Sequence, residues 1–317
     1  MYDPYLKEHR CRVFDIETTG LYPAHDRIIS ASFIDPDGTD LLQYFTEDPA
    51  AEDFTVSRIL AELSQCDAVI TYNGSTFDLP FVLARAKKYG LADRLPMMRS
   101  LDFYRLLKHY WQLAPSMESL RQKAVEDVLG LAEQRTDLIG GGDCISLYSE
   151  YINLGREKAK ELILLHNADD VRQLARITQK ASFLPYHRIA FEHGIMVKAT
   201  SFGLFGEQNY RILTGPARLE NNKLSLSARI DPPCMPTAYY EDGFTLQSDA
   251  AGKVQLDVIT SSAEGLCFAD ISKLPVDTAG FEQLRGFSNN FLVLSTPEGI
   301  NYRECMALAG ALLKTLA

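Results

Sequence analysis

The chain has 317 residues, 46% hydrophobic and 23% charged, with a formal net charge of −10. These values fit an ordinary folded chain long enough for two domains, and exclude low-complexity or disordered character. The acidic balance disfavours a protein that coats nucleic acid non-specifically, which needs a basic excess, but allows an enzyme whose carboxylates hold divalent cations.

Cys11, Cys66, Cys144, Cys234, Cys267 and Cys305 form no C-x-x-C pair, which argues against a zinc site or a disulfide scaffold and for reduced thiols in a cytoplasmic protein. The first residues lack a basic-then-apolar signal pattern. No apolar run approaches the roughly 18 residues of a membrane span.

The first predicted strand, residues 13–20, reads Val-Phe-Asp-Ile-Glu-Thr-Thr-Gly. Its period of two puts Asp15 and Glu17 on one face. Adjacent carboxylates on a core-like strand repel each other and cost desolvation energy unless a hard divalent ion, Mg²⁺ or Mn²⁺, lies between them. The bland alternative is an edge strand with both acids in water. Residues 27–35 and 40–45 are expected strands of an antiparallel meander, separated by the turn Asp35-Pro36-Asp37-Gly38. Apolar spacing predicts a helix over 54–63, and residues 68–72 read as a central strand. Beyond it, Asn73-Gly74 leads to Asp78 at the start of a helix, either as an N-cap or as a functional group at the strand-to-helix junction.

Helical patterns follow over 103–111, 117–129, 144–154 and 157–179, with Gly140-Gly141-Gly142 read as a linker. In the last of these helices His166 and Asp170, four apart, share a face. From Phe183 the texture changes to short strand-like runs, at 195–199, 210–213, 223–230, 245–247, 253–259 and 291–294, with a closing helix over 302–316. The expected organisation is an α/β domain over 1–184 and an α+β, sheet-rich domain of unassigned role over 185–317.

The strings Phe14-Asp15-Ile16-Glu17-Thr18-Thr19-Gly20, Tyr72-Asn73-Gly74-x-x-Phe77-Asp78 and His166-Asn167-x-x-Asp170-Val171 resemble the three motifs of the DEDD 3′–5′ exonuclease superfamily, and within it the YprB-like group. The resemblance covers residues 10–182. It implies a ribonuclease H-like mixed sheet flanked by helices, and a metal-dependent exonuclease acting on DNA or RNA, most readily at a single-stranded 3′ end. It implies further that Asp15, Glu17, Asp78 and Asp170 bind two divalent ions, Mg²⁺ or Mn²⁺, and that Thr18, Thr19 and Asn73 meet the substrate. The superfamily places a histidine five residues, or a tyrosine four residues, before its final aspartate. This chain has His166 four residues before Asp170, and an imidazole titrating near neutrality suits a general base. Asp169 competes with Asp170 as ligand if the helix is turned differently. Arg85, Lys87, Lys88, Arg94, Arg99, Arg105 and Lys108 are candidates to guide the strand, or simply a solvated face. The alternatives are an inactive binding or scaffold protein and a structure-directed endonuclease on the same frame. The second domain is as open to a protein partner as to nucleic acid.

Overall fold

The computed structural model describes residues 3–94, 97–137, 139–203, 206–241 and 243–316. The chain divides into two compact units, Met1–Leu184 and Pro185–Ala317. In the first unit β1 (Cys11–Thr18), β2 (Ile28–Ile34), β3 (Leu42–Phe45), β4 (Ala68–Thr71) and β5 (Arg99–Asp102) form one mixed sheet in the order β3-β2-β1-β4-β5. β2 pairs antiparallel with both β1 and β3, while β4 runs parallel to β1 and β5 to β4. The flanking helices are α1 (Glu52–Ser64), α2 (Asp78–Lys88), α3 (Phe103–Tyr110), α4 (Gln122–Val128), α5 (Gly141–Leu154) and α6 (Glu157–Lys180). This is the ribonuclease H-like mixed α/β sheet that the resemblance implies.

β1 is the middle strand, so Asp15 and Glu17 do not lie on a solvated edge. Its alternation sorts its two faces. Phe14 and Ile16 join the apolar cluster formed with Val56, Ile59, Leu60 and Leu63 of α1 and Phe81 and Val82 of α2. Asp15 and Glu17 point the other way, towards α6, which packs across β1 and β2.

Three expectations need correcting. Asp78 is the first residue of α2 rather than its cap; Phe77 occupies the cap position. The helix expected over 117–129 shrinks to Gln122–Val128, because Ser119 Oγ accepts from Arg121 N and holds an alternative turn, and Arg121 is extended. Gly140-Gly141-Gly142 is not a linker: Gly140 caps α5, and the other two glycines form its first turn.

The second unit is antiparallel and sheet-rich. It opens with α7 (Tyr186–His193), a helix not among the strand-like runs expected from Phe183 onward. β6 (Met196–Gly203), β7 (Gly206–Glu220), β8 (Lys223–Asp231), β9 (Thr237–Glu241), β10 (Phe244–Ser248) and β11 (Lys253–Ile259) form a sheet in the order β6-β7-β8-β11-β10-β9. A smaller sheet follows, of β12 (Ser261–Ala263), β13 (Leu266–Asp270), β14 (Phe287–Ser288), β15 (Phe291–Thr296) and β16 (Gly299–Ile300), before α8 (Tyr302–Leu313). β9 escaped the sequence pattern because it is an exposed edge strand with no apolar alternation.

Candidate active site

β1 overhangs its parallel neighbour. Its register with β4 ends at the Val13–Ile70 pair, which leaves the Ile16 N–H without a strand partner on that side. Asp78 fills the gap, its Oδ1 accepting from Ile16 N at 3.1 Å. The approach to α2 is tight: Asn73 has φ +63°, and a Cβ on Gly74 would lie 2.4 Å from the Thr71 side chain. Asn73 N and Ser75 N both donate to Asp102, fixing the turn that delivers Asp78.

From the opposite side, α6 presents His166, Asn167 and Asp170. The cross-strand partners of Asp15 and Glu17 are Ser32 and Ser30, and both serine hydroxyls donate to Asn167 Oδ1, at 2.6 and 3.1 Å. Asn167 Nδ2 then donates to Asp15 Oδ2 at 2.7 Å. This small network sets the rotation of α6 and answers the question of Asp169. That residue turns away, accepting from Thr136 N, Thr136 Oγ1 and Asp137 N, while Asp170 faces the sheet.

One carboxylate oxygen each from Asp15, Glu17 and Asp170 lies within 4.8 Å of the other two. Asp78 borders the same open cleft of about 460 Å³, as do His166, Asn73 and Gly141. Burial pushes the Glu17 carboxyl up to about 8, with the charge of Asp170 adding to it. Burial likewise pushes Asp78 up to about 7, against the pull of the Ile16 N–H, and raises Asp15 well above the usual carboxylate range, helped by Asp78, Asp170 and Glu17. Asp170 is raised by burial, with His166 and Arg135 opposing. The cause shared by all four is burial of the carboxyl, with neighbouring acids adding to it.

His166 is 3% exposed. Its Nδ1 donates to Asp137 Oδ2 at 2.5 Å, and its Nε2 lies 3.5 Å from both Glu17 Oε1 and Asp170 Oδ2. Arg135 is shared among Glu126, Asp137 and Asp170, at 2.8, 3.0 and 2.7 Å. Asp137, Arg135 and Asn167 carried no periodic signal that marked them as site residues. Of the three, Asn167 stood within the third motif string, with no role assigned to it.

The remaining predicted residues make local contacts in the structure, Asn73 among them although it borders the cleft. Thr18 Oγ1 donates to Gly20 O and Thr19 Oγ1 accepts from Arg27 N, so both hydroxyls serve the turn after β1. Asn73 Oδ1 accepts from Thr76 Oγ1 within its own turn. Arg85 is fully buried against Glu52, and Arg99 is buried against Asp3, so neither can guide a strand. The basic residues that do border the cleft are Arg121 and Lys123, on the approach to α4 and in its first turn, together with Arg135.

Residues 13–182 match the family model described as RNase H superfamily. A DNA polymerase of Methanocaldococcus jannaschii is 35% identical over 88 residues, 25% of this chain and 5% of that protein. A DNA polymerase of Pyrococcus glycovorans is 33% identical over 104 residues, 29% of this chain and 13% of that protein. The structure of the family B DNA polymerase from the hyperthermophilic archaeon Pyrobaculum calidifontis aligns with a TM-score of 0.43 at 17% identity, over 54% of this chain and 24% of that one. The chain thus spans only a small part of the length of these relatives.

Proposed function

Because the chain belongs to the RNase H superfamily, we propose that its first unit is a metal-dependent 3′–5′ exonuclease of the DEDD type, hydrolysing phosphodiester bonds of DNA or RNA. The observation that carries this reading is the convergence of Asp15, Glu17 and Asp170 oxygens within 4.8 Å, with Asp78 beside them on the same cleft. The named function of the relatives, DNA polymerase, is consistent with a nucleic-acid substrate.

The donor set fits two hard divalent ions. The carboxylate oxygens are the ligand type Mg²⁺ and Mn²⁺ take, and burial beside other acids, which raises the proton affinity of all four, is a cost that a bound cation would offset. Asp15, Glu17, Asp78 and Asp170 would hold the ions, which when bound polarise the scissile phosphate and acidify the attacking water. Asn167 fixes the Asp15 carboxylate, and the Ile16 N–H fixes that of Asp78, so two ligands are oriented before any ion arrives. With its Nδ1 proton committed to Asp137, His166 turns the Nε2 lone pair into the cleft, where it takes the proton from the attacking water. Arg121 and Lys123 at the cleft border supply cationic contacts for the phosphates of the strand.

The test is Mn²⁺-dependent digestion of end-labelled single- and double-stranded DNA and RNA by the full chain, with Asp15→Asn as control. Shortening from the 3′ end that requires Asp15 is the expected result. Cutting that continues inside a 3′-blocked strand would replace this reading with endonuclease action.

A further inference from the structure

A second donor set overlaps the carboxylate cluster, and hard-ion chemistry does not account for it. One donor atom each from Glu17, Cys144 and His166 lies within 4.8 Å of the other two, and all three residues are buried. Cys144 enters from the first helical turn of α5, and its thiol donates to the Glu17 carboxylate. Gly141, three residues before Cys144, lies beside the same carboxylate: a Cβ there would make an ordinary contact, 3.7 Å from Glu17 Oε2. The spacing of the six cysteines argued against a zinc site, yet the fold completes this donor set with residues from three distant segments.

Two observations beyond the cysteine point to a bound metal. The first is the partner of the imidazole. His166 Nδ1 is bonded to the Asp137 carboxylate at 2.5 Å, the partner that a metal-ligating histidine characteristically has on its other ring nitrogen. Asp137 is itself anchored, accepting from Arg135 at 3.0 Å, so the ring is held in one orientation. The second is electrostatic. The remaining nitrogen, Nε2, faces Glu17 Oε1 and Asp170 Oδ2 at 3.5 Å each. A lone pair facing two carboxylate oxygens is repulsive unless a proton, such as one held by Glu17, or a cation lies between them, and a metal ion in this position would satisfy all three groups at once.

We propose that Glu17, Cys144 and His166 form a site for a borderline-soft transition-metal ion, Zn²⁺ being the natural occupant, and that its occupancy switches the nuclease off. Thiolate, imidazole and carboxylate are the ligands Zn²⁺ takes, and three protein ligands leave its fourth position open. Mg²⁺ does not favour the sulfur and nitrogen donors, so the two donor sets divide by hardness and share only Glu17. Binding releases the thiol proton to solvent and forms the metal–sulfur and metal–nitrogen bonds, with no change of oxidation state. It occupies the Nε2 lone pair that the proposed hydrolysis needs and draws Glu17 from the hard-ion cluster. The inhibitory consequence rests on the nuclease reading. The binding site does not.

The binding experiment therefore uses Co²⁺ as a spectroscopic probe of the metal-stripped full chain, followed by displacement with Zn²⁺. The expected result is one equivalent of Co²⁺ giving a thiolate-to-metal charge-transfer band that Zn²⁺ abolishes and that is missing in Cys144→Ser. Absence of the band in the unmodified protein, or its persistence in Cys144→Ser through another cysteine, would overturn the site, whether or not the protein cuts nucleic acid. Asp137→Asn provides a check that spares all three ligands. It should weaken Zn²⁺ binding by about 10–100-fold, the usual loss when the hydrogen-bond partner of a ligating histidine is changed, and unchanged affinity would contradict the arrangement. In Mg²⁺-supported digestion, Zn²⁺ should inhibit the unmodified protein at concentrations at least about tenfold below those needed for Cys144→Ser, as expected when one of three ligands is lost. Equal inhibition of both would overturn the switch.

Discussion

Two of the places in the first unit that bury charges are built on opposite terms. Beside α1, Glu52 and Arg85 are both fully buried and matched: Arg85 Nε donates to Glu52 Oε1 at 2.9 Å, Arg85 Nη2 pairs with Glu52 Oε2, and Tyr89 OH donates to Glu52 Oε2 at 2.7 Å. Arg12 is treated likewise, with Glu62 and Asp35 at 3.2 and 2.8 Å. Across the sheet, Asp15, Glu17, Asp78, Asp137 and Asp170 crowd a region whose buried cations are Arg135 and whatever charge His166 carries. The fold knows how to neutralise a buried acid with a side chain. At the second place no such matching side chain stands against each acid among the described residues, and burial, with the neighbouring acids, raises their proton affinity; on the proposed reading an ion from solution supplies the missing charge.

The largest way to break this contrast is Asp15→Asn, which removes a ligand and one repelling charge together. Hydrolysis should fall to background while the metal-free protein melts at a higher temperature; a variant that still digests end-labelled strands would take Asp15 out of the site. His166→Ala should slow single-turnover hydrolysis by about 10²–10⁴-fold, the range for loss of a general base, with substrate binding little changed. Glu52→Ala probes the matched side. Stranding Arg85 without its partner should cost about 3–5 kcal/mol in denaturant unfolding, and a small loss would mean that water or Tyr89 suffices.

A smaller effect sharpens the same contrast through pH. Glu17 and Asp78 hold their protons up to about 8 and about 7 in the folded state, higher than in the unfolded chain. Between the unfolded and folded values the native state binds more protons, so the metal-free protein should lose stability as pH rises through that window. Divalent ions need the ionised acids, so the melting shift given by Mn²⁺ should be larger near about pH 8 than near about pH 5. A shift independent of pH would place the ion on other groups.

What the sequence disclosed follows from the range of the interactions. Asp15 with Glu17, and His166 with Asp170, were readable because strand and helix periods fix which neighbours share a face. Asp137 and Arg135 act across 29 and 35 residues on partners in α6, and no local period marks them. Arg85 was misread as a surface cation, though it shares the buried stripe of Phe81, Val82 and Ala86 at helical spacing. That stripe was the available warning. Cys144 shows the same limit, since its membership in a donor set depends on where α5 starts, which a glycine triplet read as a linker concealed.

The central claim is that the unmatched carboxylates are a seat for divalent cations, and anomalous diffraction from crystals soaked in Mn²⁺ tests it most directly. The predicted result is a peak in contact with Asp15, Glu17 and Asp170, lost in Asp15→Asn. Peaks confined to other surface acids, with none at this cleft, would contradict it.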